Sequence, residues 1–363
     1  MASSRIKCVG ILTAGGDCPG LNAVIRAVVK TAARQGIAVV GVRDGFLGLI
    51  QNSMDLLEIG DVSHILTQGG TILGSSNKDN PFHFLQRDHA GKERYFDRSG
   101  IGIANLKRLG VQALVVLGGD GSMTLAEKFS KKGVKIIGVP KTIDNDIVGT
   151  DQTFGYDTAV SVATEAIDRL QSVAASHHRV MIVEVMGRNA GWLALKSGIA
   201  GGADIILIPE IPYHEKKIGE TILRRQKEGK KSSIIVVAEG AFPKGGSMVF
   251  EHINHHQRAR LGGICRRLAR HLEVKHGVET RSVMLGHTVR GGTPTAFDRA
   301  LATLFGVHAM ELVRKGHFGR MVTWKNGALS SVPLSVPGGK IRKVPLNHPM
   351  VQAAKDIGVS FGV

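Results

Sequence analysis

Apolar residues are arranged along this chain in two alternating ways. Short continuous apolar runs predict buried strands at residues 6–12, 112–117, 134–139, 179–185, 203–208, 232–238 and 282–285. Between them, apolar residues recur at helical spacing, which predicts helices at 23–34, 123–132, 158–175 and 295–314. Buried strands joined by helices form parallel sheets that are covered on both faces. The pattern therefore predicts the α/β class, with two Rossmann-like three-layer α/β/α domains and largely parallel sheets.

The length of the chain sets the expected number of domains. At 363 residues the chain is expected to form about two domains. The glycine-containing loop at 149–155 places the boundary near residue 155, which gives a first domain at 1–155 and a second at 156–287. Residues 325–345 are rich in Gly, Pro and Ser with weak periodicity, and we expect them to be surface loops.

The chain is strongly basic, with a formal net charge of +17. One stretch has the charge needed to contact a nucleic-acid backbone; it contains Arg258, Arg260, Arg266, Arg267 and Arg270. Only 5% of the residues are aromatic, however, and no motif that reads bases is present. A solvated surface, or a general attraction for small polyanions, explains the charge without nucleic acid. We expect no nucleic-acid partner, and a basic nucleic-acid-binding α/β protein is the remote alternative.

Cysteines and apolar runs indicate the compartment. No apolar run reaches the ~18 residues of a membrane span, and the first strand begins too early to leave room for a signal peptide. Cys8, Cys18 and Cys265 are odd in number and lack the spacing of metal ligands. Reduced thiols follow, so we expect a cytoplasmic protein with no membrane partner.

Four loops in the first half of the chain have the composition of phosphate sites. They follow predicted strands or carry paired glycines with hydroxyl residues, at 13–22, 69–76, 118–122 and 140–146. Glycine lets backbone N–H groups approach a phosphate, and the start of the next helix adds a favourable dipole. Asp120 has the chemistry of a Mg²⁺ ligand. Tight turns are the alternative for each loop, although four such loops together favour anion binding.

The loop at 140–146 also carries two acids. Asp144 and Asp146 are two residues apart, so in an extended segment both side chains point to the same side. Such a pair can hold a divalent cation, accept a proton, or divide the two tasks. A polar turn with local Asx hydrogen bonds is the alternative.

Predicted strand ends in the second half carry a different set of side chains. They are Met186, Gly187, Arg188, Glu239, His287 and Arg290, with Arg179 and Arg281 at strand beginnings. Arginine binds phosphate and glutamate accepts from sugar hydroxyls, so this set suits a phosphorylated, hydroxyl-rich molecule. Five further histidines could suggest a metal site but lack a ligand pattern, so we expect surface or hydrogen-bonding roles for them; they are His177, His178, His252, His255 and His256.

Seven short motifs, taken in order, resemble a known family. They are GGDCPGLNA, GGTILGSS, GGDGS, PKTIDND, VEVMGR, VAEG and LGHTVRGG. Their order and spacing, from about residue 6 to 320, are similar to those of the 6-phosphofructokinases, the phosphofructokinase A family. The resemblance implies Mg²⁺-dependent phosphoryl transfer to the 1-hydroxyl of fructose 6-phosphate. It also implies that the first domain binds the nucleotide and is rejoined by about 288–340, while the C-terminal segment completes the fructose 6-phosphate domain.

The resemblance also implies residue roles. Asp144 takes the hydroxyl proton, Asp146 assists, and Lys141 stabilises the phosphoryl group in transfer. The donor site is implied at Gly16, Gly119, Asp120, Gly121, Ser122 and Lys78, with Asp120 as the Mg²⁺ ligand. Fructose 6-phosphate is implied at Thr142, Asp144, Met186, Gly187, Arg188, Glu239, His287 and Arg290. Arg179 and Arg281 reach this site from a neighbouring subunit, which implies a homo-oligomer, with a tetramer favoured over a dimer.

The phosphoryl donor depends on two positions. In the family, Gly at 121 and Gly at 141 accompany ATP, whereas Asp and Lys accompany pyrophosphate; this chain has Gly121 and Lys141, as in a mixed subgroup. An Asp at 121 would repel the α-phosphate by ~4 kcal/mol at ~4 Å and an effective dielectric near 20. Because Gly121 leaves this position uncharged, we predict ATP, with pyrophosphate as the alternative.

Two departures from the family concern the loops around the site. Asn77 stands where bacterial ATP enzymes carry a bridging arginine, and Lys78 supplies a point charge without bidentate geometry. The usual allosteric nucleotide site is matched by Arg26, Lys30, Lys230 and Lys231 but interrupted by Gln171 and Glu228. We therefore predict altered or absent regulation by ADP and phosphoenolpyruvate.

Overall fold

A computed structural model describes residues 6–87, 91–253 and 259–363, without the side chains of 251–260. Arg258, His255 and His256 lie outside the described residues. The chain forms two compact units. Unit 1 contains Met1–Thr142, Ile147–Asp157 and Arg290–Ile341, and unit 2 contains Ile143–Asp146, Thr158–Val289 and Arg342–Val363.

Strands and helices alternate through both units. The strands are β1 (Cys8–Thr13), β2 (Ala38–Val42), β3 (Met54–Leu57), β4 (Phe84–Arg87), β5 (Glu93–Phe96), β6 (Ala113–Gly118), β7 (Ile136–Pro140), β8 (Val180–Val185), β9 (Ile205–Leu207), β10 (Ser233–Ala238), β11 (Phe250–Ile253), β12 (Ala259–Leu261), β13 (Thr280–Met284), β14 (Arg320–Lys325) and β15 (Ala328–Pro333). The α-helices are α1 (Leu21–Arg34), α2 (Phe46–Gln51), α3 (Ser99–Arg108), α4 (Asp120–Lys131), α5 (Tyr156–His177), α6 (Trp192–Ala200), α7 (Glu215–Lys227), α8 (Ile264–His276), α9 (Ala296–Lys315) and α10 (Pro349–Asp356).

Unit 1 is built on a seven-stranded sheet in the order β15-β14-β7-β6-β1-β2-β3. The five central strands are parallel, and the antiparallel strands β15 and β3 form the two edges. All six residues of β6 are buried, as expected for a strand covered on both faces. On one face, Leu114 and Val116 pack with Met123 and Phe129 of α4.

Unit 2 has a four-stranded parallel sheet in the order β13-β8-β10-β9. On one face, Ile182 and Val237 pack with Ile222 of α7 and Leu268 of α8. On the other face α6 lies so close to β9 that a Cβ on Gly198 would be 2.7 Å from Ile206 Cδ1. The α/β class with largely parallel sheets, predicted from the apolar pattern, is therefore confirmed.

The structure corrects one interpretation of the C-terminal segment. Residues 325–345 were expected to be surface loops, but β15 (Ala328–Pro333) pairs with β14 along its whole length and extends the main sheet of unit 1. The connection is Asn326-Gly327, with φ values of 51° and 78°. Asn-Gly permits the left-handed conformations of a tight hairpin turn and is therefore a sequence signal for a hairpin. The weak apolar periodicity of β15 led instead to the prediction of a loop.

Among the residues that the structure describes, no helix is long and apolar enough to cross a membrane.

Candidate active site

Three of the predicted phosphate loops are tied together in unit 1. Ala14 N donates to Leu117 O at 2.8 Å, so the end of β1 lies beside the end of β6. Gly15 N donates to Ser76 O at 3.0 Å, and Ser75 Oγ donates to Gly15 O at 2.6 Å. The carboxyl ends of parallel strands are the usual ligand-binding edge of such a sheet. These loops therefore form one polar, backbone-rich edge in unit 1.

The turn from β6 into α4 is tighter than the apolar spacing predicted. The helix begins at Asp120 rather than Met123, which puts Gly121 and Ser122 in its first turn. A Cβ on Gly118 would lie 2.2 Å from Ser122 Cβ, so this turn requires glycine at 118. At Gly121, by contrast, an added Cβ would meet no atom within 4 Å. The absence of a side chain at 121 is therefore not required by the fold.

The side chain of Lys141 reaches the first loop. Lys141 is 4% exposed, and its Nζ donates to Gly16 O. A Cβ on Gly15 would lie 3.3 Å from the same Nζ, and Lys141 N donates to Gly118 O at 2.9 Å. The ammonium group is thus held at the glycines of the first loop, where it can neutralise an anion bound by their backbone.

Arg290 and Lys78 complete the basic groups around these loops. Arg290 packs with unit 1, where its Nη1 donates to Asp17 O at 3.2 Å. A Cβ on Gly16 would lie 2.9 Å from Arg290 Nη1. The side chain of Lys78 is exposed, and its backbone N donates to Ser76 Oγ at 3.3 Å. Arg290, implied by resemblance to hold fructose 6-phosphate, thus also contacts the loop that carries Gly16.

Asp144, Asn145 and Asp146 form a buried bend in unit 2. Asp144 is 5% exposed and Asp146 is 9% exposed. Asn145 between them is left-handed, with a φ of 50°. Because the segment is bent, the argument from an extended strand does not describe how the two carboxylates are oriented. Both acids are nevertheless buried, and charges interact more strongly in the protein interior than in bulk water.

Glu239, directly after β10, interacts with Asp144 and also with Arg188, which follows β8. Burial, followed by the negative charge of Asp144, raises the pKa of Glu239 to about 7. Glu239 Oε1 accepts from Arg188 N at 3.1 Å. A Cβ on Gly240 would lie only 1.6 Å from Arg188 O, so this backbone contact requires glycine. Three of the predicted substrate residues are therefore brought together.

The other predicted substrate residues also come after the carboxyl ends of strands. Met186 and Gly187 follow β8, and Gly187 has a φ of 144°. A Cβ on Gly187 would lie 2.7 Å from Ala190 O, so the loop closes tightly there. His287 is exposed in a short 3₁₀ helix at Gly286–Arg290. Thr142, at the end of unit 1, accepts from Thr153 Oγ1 through its backbone O at 3.0 Å.

Arg179 and Arg281 lie at the opposite end of the sheet. Arg179 directly precedes β8, and Arg281 is the second residue of β13. Both donate to Glu279 Oε1, from Arg179 Nε at 2.7 Å and from Arg281 Nη2 at 3.1 Å. Glu273 Oε1 accepts from Arg281 Nη1 at 3.1 Å. A six-residue strand spans about 17 Å, so these arginines are not brought to Glu239 of their own unit.

Asp120 suits one particular mode of Mg²⁺ binding. Among the described residues, no group of three or more His, Cys, Asp or Glu side chains could hold a metal ion. Mg²⁺ usually keeps several waters and takes one or two carboxylates together with substrate phosphates. Asp120, partly exposed in the first turn of α4, fits that mode.

One residue at the site was missed by sequence reasoning. Arg342 lies within the segment that was interpreted as surface loops, yet its guanidinium donates to Asn145 O. No motif marks it, because its partner is 197 residues away in the chain.

Comparisons with known proteins agree with the motifs. A family profile described as phosphofructokinase matches residues 8–313. The chain is 52% identical over 361 residues to an ATP-dependent 6-phosphofructokinase 2 of Clostridium perfringens, covering 98% of each chain. It is 47% identical over 346 residues to a pyrophosphate–fructose 6-phosphate 1-phosphotransferase of Amycolatopsis methanolica, covering 93% of this chain and 96% of that one.

A solved structure shows the same fold. Phosphofructokinase from Saccharomyces cerevisiae superposes with a TM-score of 0.78 at 32% identity, over 91% of this chain. The present chain spans 45% of that longer chain. Taken with the profile match over most of its length, these similarities show that the chain belongs to the phosphofructokinase family.

Proposed function

We propose that this protein is an ATP-dependent 6-phosphofructokinase. It transfers a phosphoryl group from ATP to the 1-hydroxyl of D-fructose 6-phosphate, giving fructose 1,6-bisphosphate and ADP, as a step of glycolysis. The observation that carries the proposal is the cluster of Asp144, Glu239 and Arg188 in unit 2. It combines a candidate base with a hydroxyl acceptor and a phosphate-binding arginine, the groups that phosphoryl transfer to a sugar phosphate requires.

The acceptor side of the reaction is assigned to a second set of residues. Asp144 accepts the proton of the 1-hydroxyl, and Asp146 assists it. Glu239, when ionised, accepts from sugar hydroxyls. The remaining contacts with fructose 6-phosphate are assigned to Thr142, Met186, Gly187, Arg188, His287 and Arg290.

The donor side is assigned to the tied loops of unit 1. The backbone of Gly16 and of Gly119–Ser122 binds the donor phosphates, and Lys141 and Lys78 supply positive charge near them. Mg²⁺, held by Asp120, would neutralise charge on the donor phosphates. Phosphoryl transfer depends mainly on positioning and on charge stabilisation, so these groups are sufficient.

ATP is proposed as the donor because of Gly121. The position has room for a side chain, since an added Cβ would meet nothing within 4 Å. Asp would therefore fit there, and its charge would oppose an α-phosphate by ~4 kcal/mol at ~4 Å and an effective dielectric near 20. The relative at 52% identity is named for ATP, and one at 47% identity is named for pyrophosphate.

A pyrophosphate-dependent phosphotransferase is the second candidate. It is favoured by Lys141, whose ammonium group contacts Gly16 O in the first phosphate loop. Initial rates measured with ATP and with pyrophosphate on one preparation decide between the two. Greater turnover with ATP is expected, and Gly121→Asp should lower the rate with ATP much more than the rate with pyrophosphate. Equal or greater wild-type turnover with pyrophosphate would reverse the assignment.

A homo-oligomer, with a tetramer favoured, is proposed from the position of two arginines. Arg179 and Arg281 lie at the amino ends of their strands, away from Glu239 at a carboxyl end. They are assigned to the fructose 6-phosphate site of a neighbouring subunit. If so, mixing inactive Asp144→Ala and Arg179→Ala subunits should restore activity, because some sites receive both intact residues. No recovery in hybrids that demonstrably form would exclude the shared site.

Location and regulation follow from other parts of the chain. Cys8, Cys18 and Cys265 are free thiols, which supports a reducing, cytoplasmic compartment.

Altered or absent control by ADP and phosphoenolpyruvate is proposed because Gln171 and Glu228 replace basic residues. Strong activation by millimolar ADP in a steady-state assay would contradict this proposal.

A further inference from the structure

The segment that carries both acids has an unusual backbone. Asn145, between Asp144 and Asp146, has a φ of 50°, and all three residues are buried. Residues other than glycine adopt this left-handed conformation infrequently, although asparagine tolerates it better than most. A buried loop keeps such a conformation only when surrounding groups hold it. The position of the two carboxylates therefore depends on what holds Asn145.

Arg342 holds the backbone on either side of the second acid. Its Nε and Nη2 donate to Asn145 O at 3.1 and 2.9 Å. Its backbone N donates to Asp146 O at 2.7 Å. Two consecutive carbonyl groups of the acid-bearing loop are thus bound by one residue. The two-donor contact with Asn145 O uses the planar fork of the guanidinium, which fixes orientation as well as distance.

Trp192 in turn holds Arg342. The guanidinium lies 4.5 Å from the centroid of the Trp192 ring, a cation–π distance. The indole Nε1 donates to Arg342 O at 2.8 Å. Glu210 ties the neighbouring backbone, because its Oε1 accepts from Gly191 N at 3.0 Å and from Val344 N at 2.8 Å. Arg342 is therefore held through both its side chain and its backbone.

We propose that Arg342 is a positioning residue for the phosphoryl transfer: it acts through the backbone of Asn145 and Asp146 to hold the Asp144 and Asp146 carboxylates in place, with Trp192 as its support. The inference rests on the proposed function, since it assumes that Asp144 is the base. A base displaced by ~1 Å can cost about 100-fold in rate, so backbone contacts of this kind are sufficient to control turnover.

Two variants and a matched control test this role. Arg342→Met removes both side-chain donors, and Arg342→Lys keeps the charge but not the fork. Arg320→Met is the control, because Arg320 makes a similar two-donor contact with Ser331 in unit 1, through Nε to Oγ at 2.7 Å and Nη2 to O at 2.6 Å. Steady-state kinetics with ATP and fructose 6-phosphate are combined with hydrogen–deuterium exchange of the peptide that covers 143–147.

Turnover and exchange should change together. Arg342→Met is expected to lower kcat by about 100-fold with little change in the KM for ATP, and Arg342→Lys to recover about tenfold of that loss. Amides of 143–147 should exchange faster in Arg342→Met and keep the wild-type rate in Arg320→Met. Trp192→Phe keeps an aromatic ring but loses the N–H donor, so its kcat should lie between wild type and Arg342→Met.

Each contrary result overturns a defined part of the reasoning. Wild-type kcat in Arg342→Lys would show that charge alone is needed, which overturns the positioning role. A raised KM for fructose 6-phosphate at unchanged kcat would make Arg342 a binding residue instead. If Arg342→Met does not fold, Arg342→Lys carries the test. If the wild-type protein phosphorylates fructose 6-phosphate with neither ATP nor pyrophosphate, the proposed function fails, while amide exchange still decides whether Arg342 holds the loop.

Discussion

Glu239 is expected to destabilise the fold above neutral pH. Burial and the charge of Asp144 raise its pKa from an ordinary 4.5 to about 7. Above pH 7 the folded protein must hold a charged carboxylate that the unfolded chain ionises without difficulty. At ~1.4 kcal/mol per pKa unit, the raised pKa lowers the free energy of unfolding above pH 7 by about 3 kcal/mol. Glu239→Gln removes the charge and keeps an oxygen that can accept from Arg188 N. It should therefore raise the free energy of unfolding by about 3 kcal/mol at pH 8.

The sign of the effect sets its pH dependence. Below pH 4.5 the carboxyl is protonated in both states, so wild type and Glu239→Gln should be equally stable. As pH rises from 4.5 to 7 the unfolded chain loses the proton first, and the advantage of the variant should grow until it is complete above pH 7. Equilibrium urea unfolding at half-unit steps from pH 4 to 8.5, with unchanged m-values, measures this curve.

Glu220→Gln is the matched control. Glu220 is an exposed carboxylate whose pKa is lowered, chiefly by the hydrogen bond from Lys217. Its removal should give no gain in stability at pH 8. A pH-independent difference between Glu239→Gln and wild type, or none at pH 8, would refute the account of Glu239. Glu239→Gln should also raise the KM for fructose 6-phosphate, because the neutral amide is a poorer acceptor for sugar hydroxyls than a carboxylate.

Three further outcomes follow from the structure. Asp144→Asn should lower kcat by about 10²–10⁴-fold without lowering the thermal midpoint, because a general base is lost and a buried charge is removed; near wild-type turnover would remove Asp144 from the role of base. Gly327→Ala should cost about 1–2 kcal/mol in urea unfolding, since its φ is 78°, whereas Gly121→Ala in open space should cost less. Burial raises the pKa of the Cys18 thiol to about 12, so iodoacetamide at pH 8 should not label Cys18 until the protein unfolds. Peptide mass spectrometry measures this labelling, and rapid labelling under native conditions would contradict the burial of Cys18.

Apolar runs predicted β1, β6 and β7 of the main sheet because these strands are almost wholly buried, but β2 and β14 of the same sheet were not predicted. Every residue of β6 and β10 is buried, and both are continuous apolar runs apart from Ser233, which is the pattern that most clearly marks a parallel strand. β15 alternates between half-buried and exposed residues at a sheet edge and left no such run. Its turn, Asn326-Gly327, was the better signal, because local turn chemistry is independent of burial.

The candidate site was predictable only where local motifs carry the chemistry. Arg188 and Glu239 each follow the carboxyl end of a strand, so the topology of a parallel sheet brings them to one edge. The pKa of Glu239 could not be predicted, because it depends on burial and on Asp144, which is distant in the chain. Arg342 was missed for the same reason: the bend at Asn145 needs a donor, but nothing in either segment specifies where the donor comes from.

If Arg179 and Arg281 bind a phosphate as proposed, their ion pairs with Glu279 make that binding an exchange reaction. Arg179 and Arg281 already share Glu279 Oε1, so a phosphate that takes their N–H groups must displace a carboxylate. Only the difference between two charge-assisted contacts then contributes to affinity. Added salt screens the carboxylate and the phosphate alike. Binding of a sugar phosphate at this pair should therefore depend less steeply on ionic strength than binding to two unpaired arginines would.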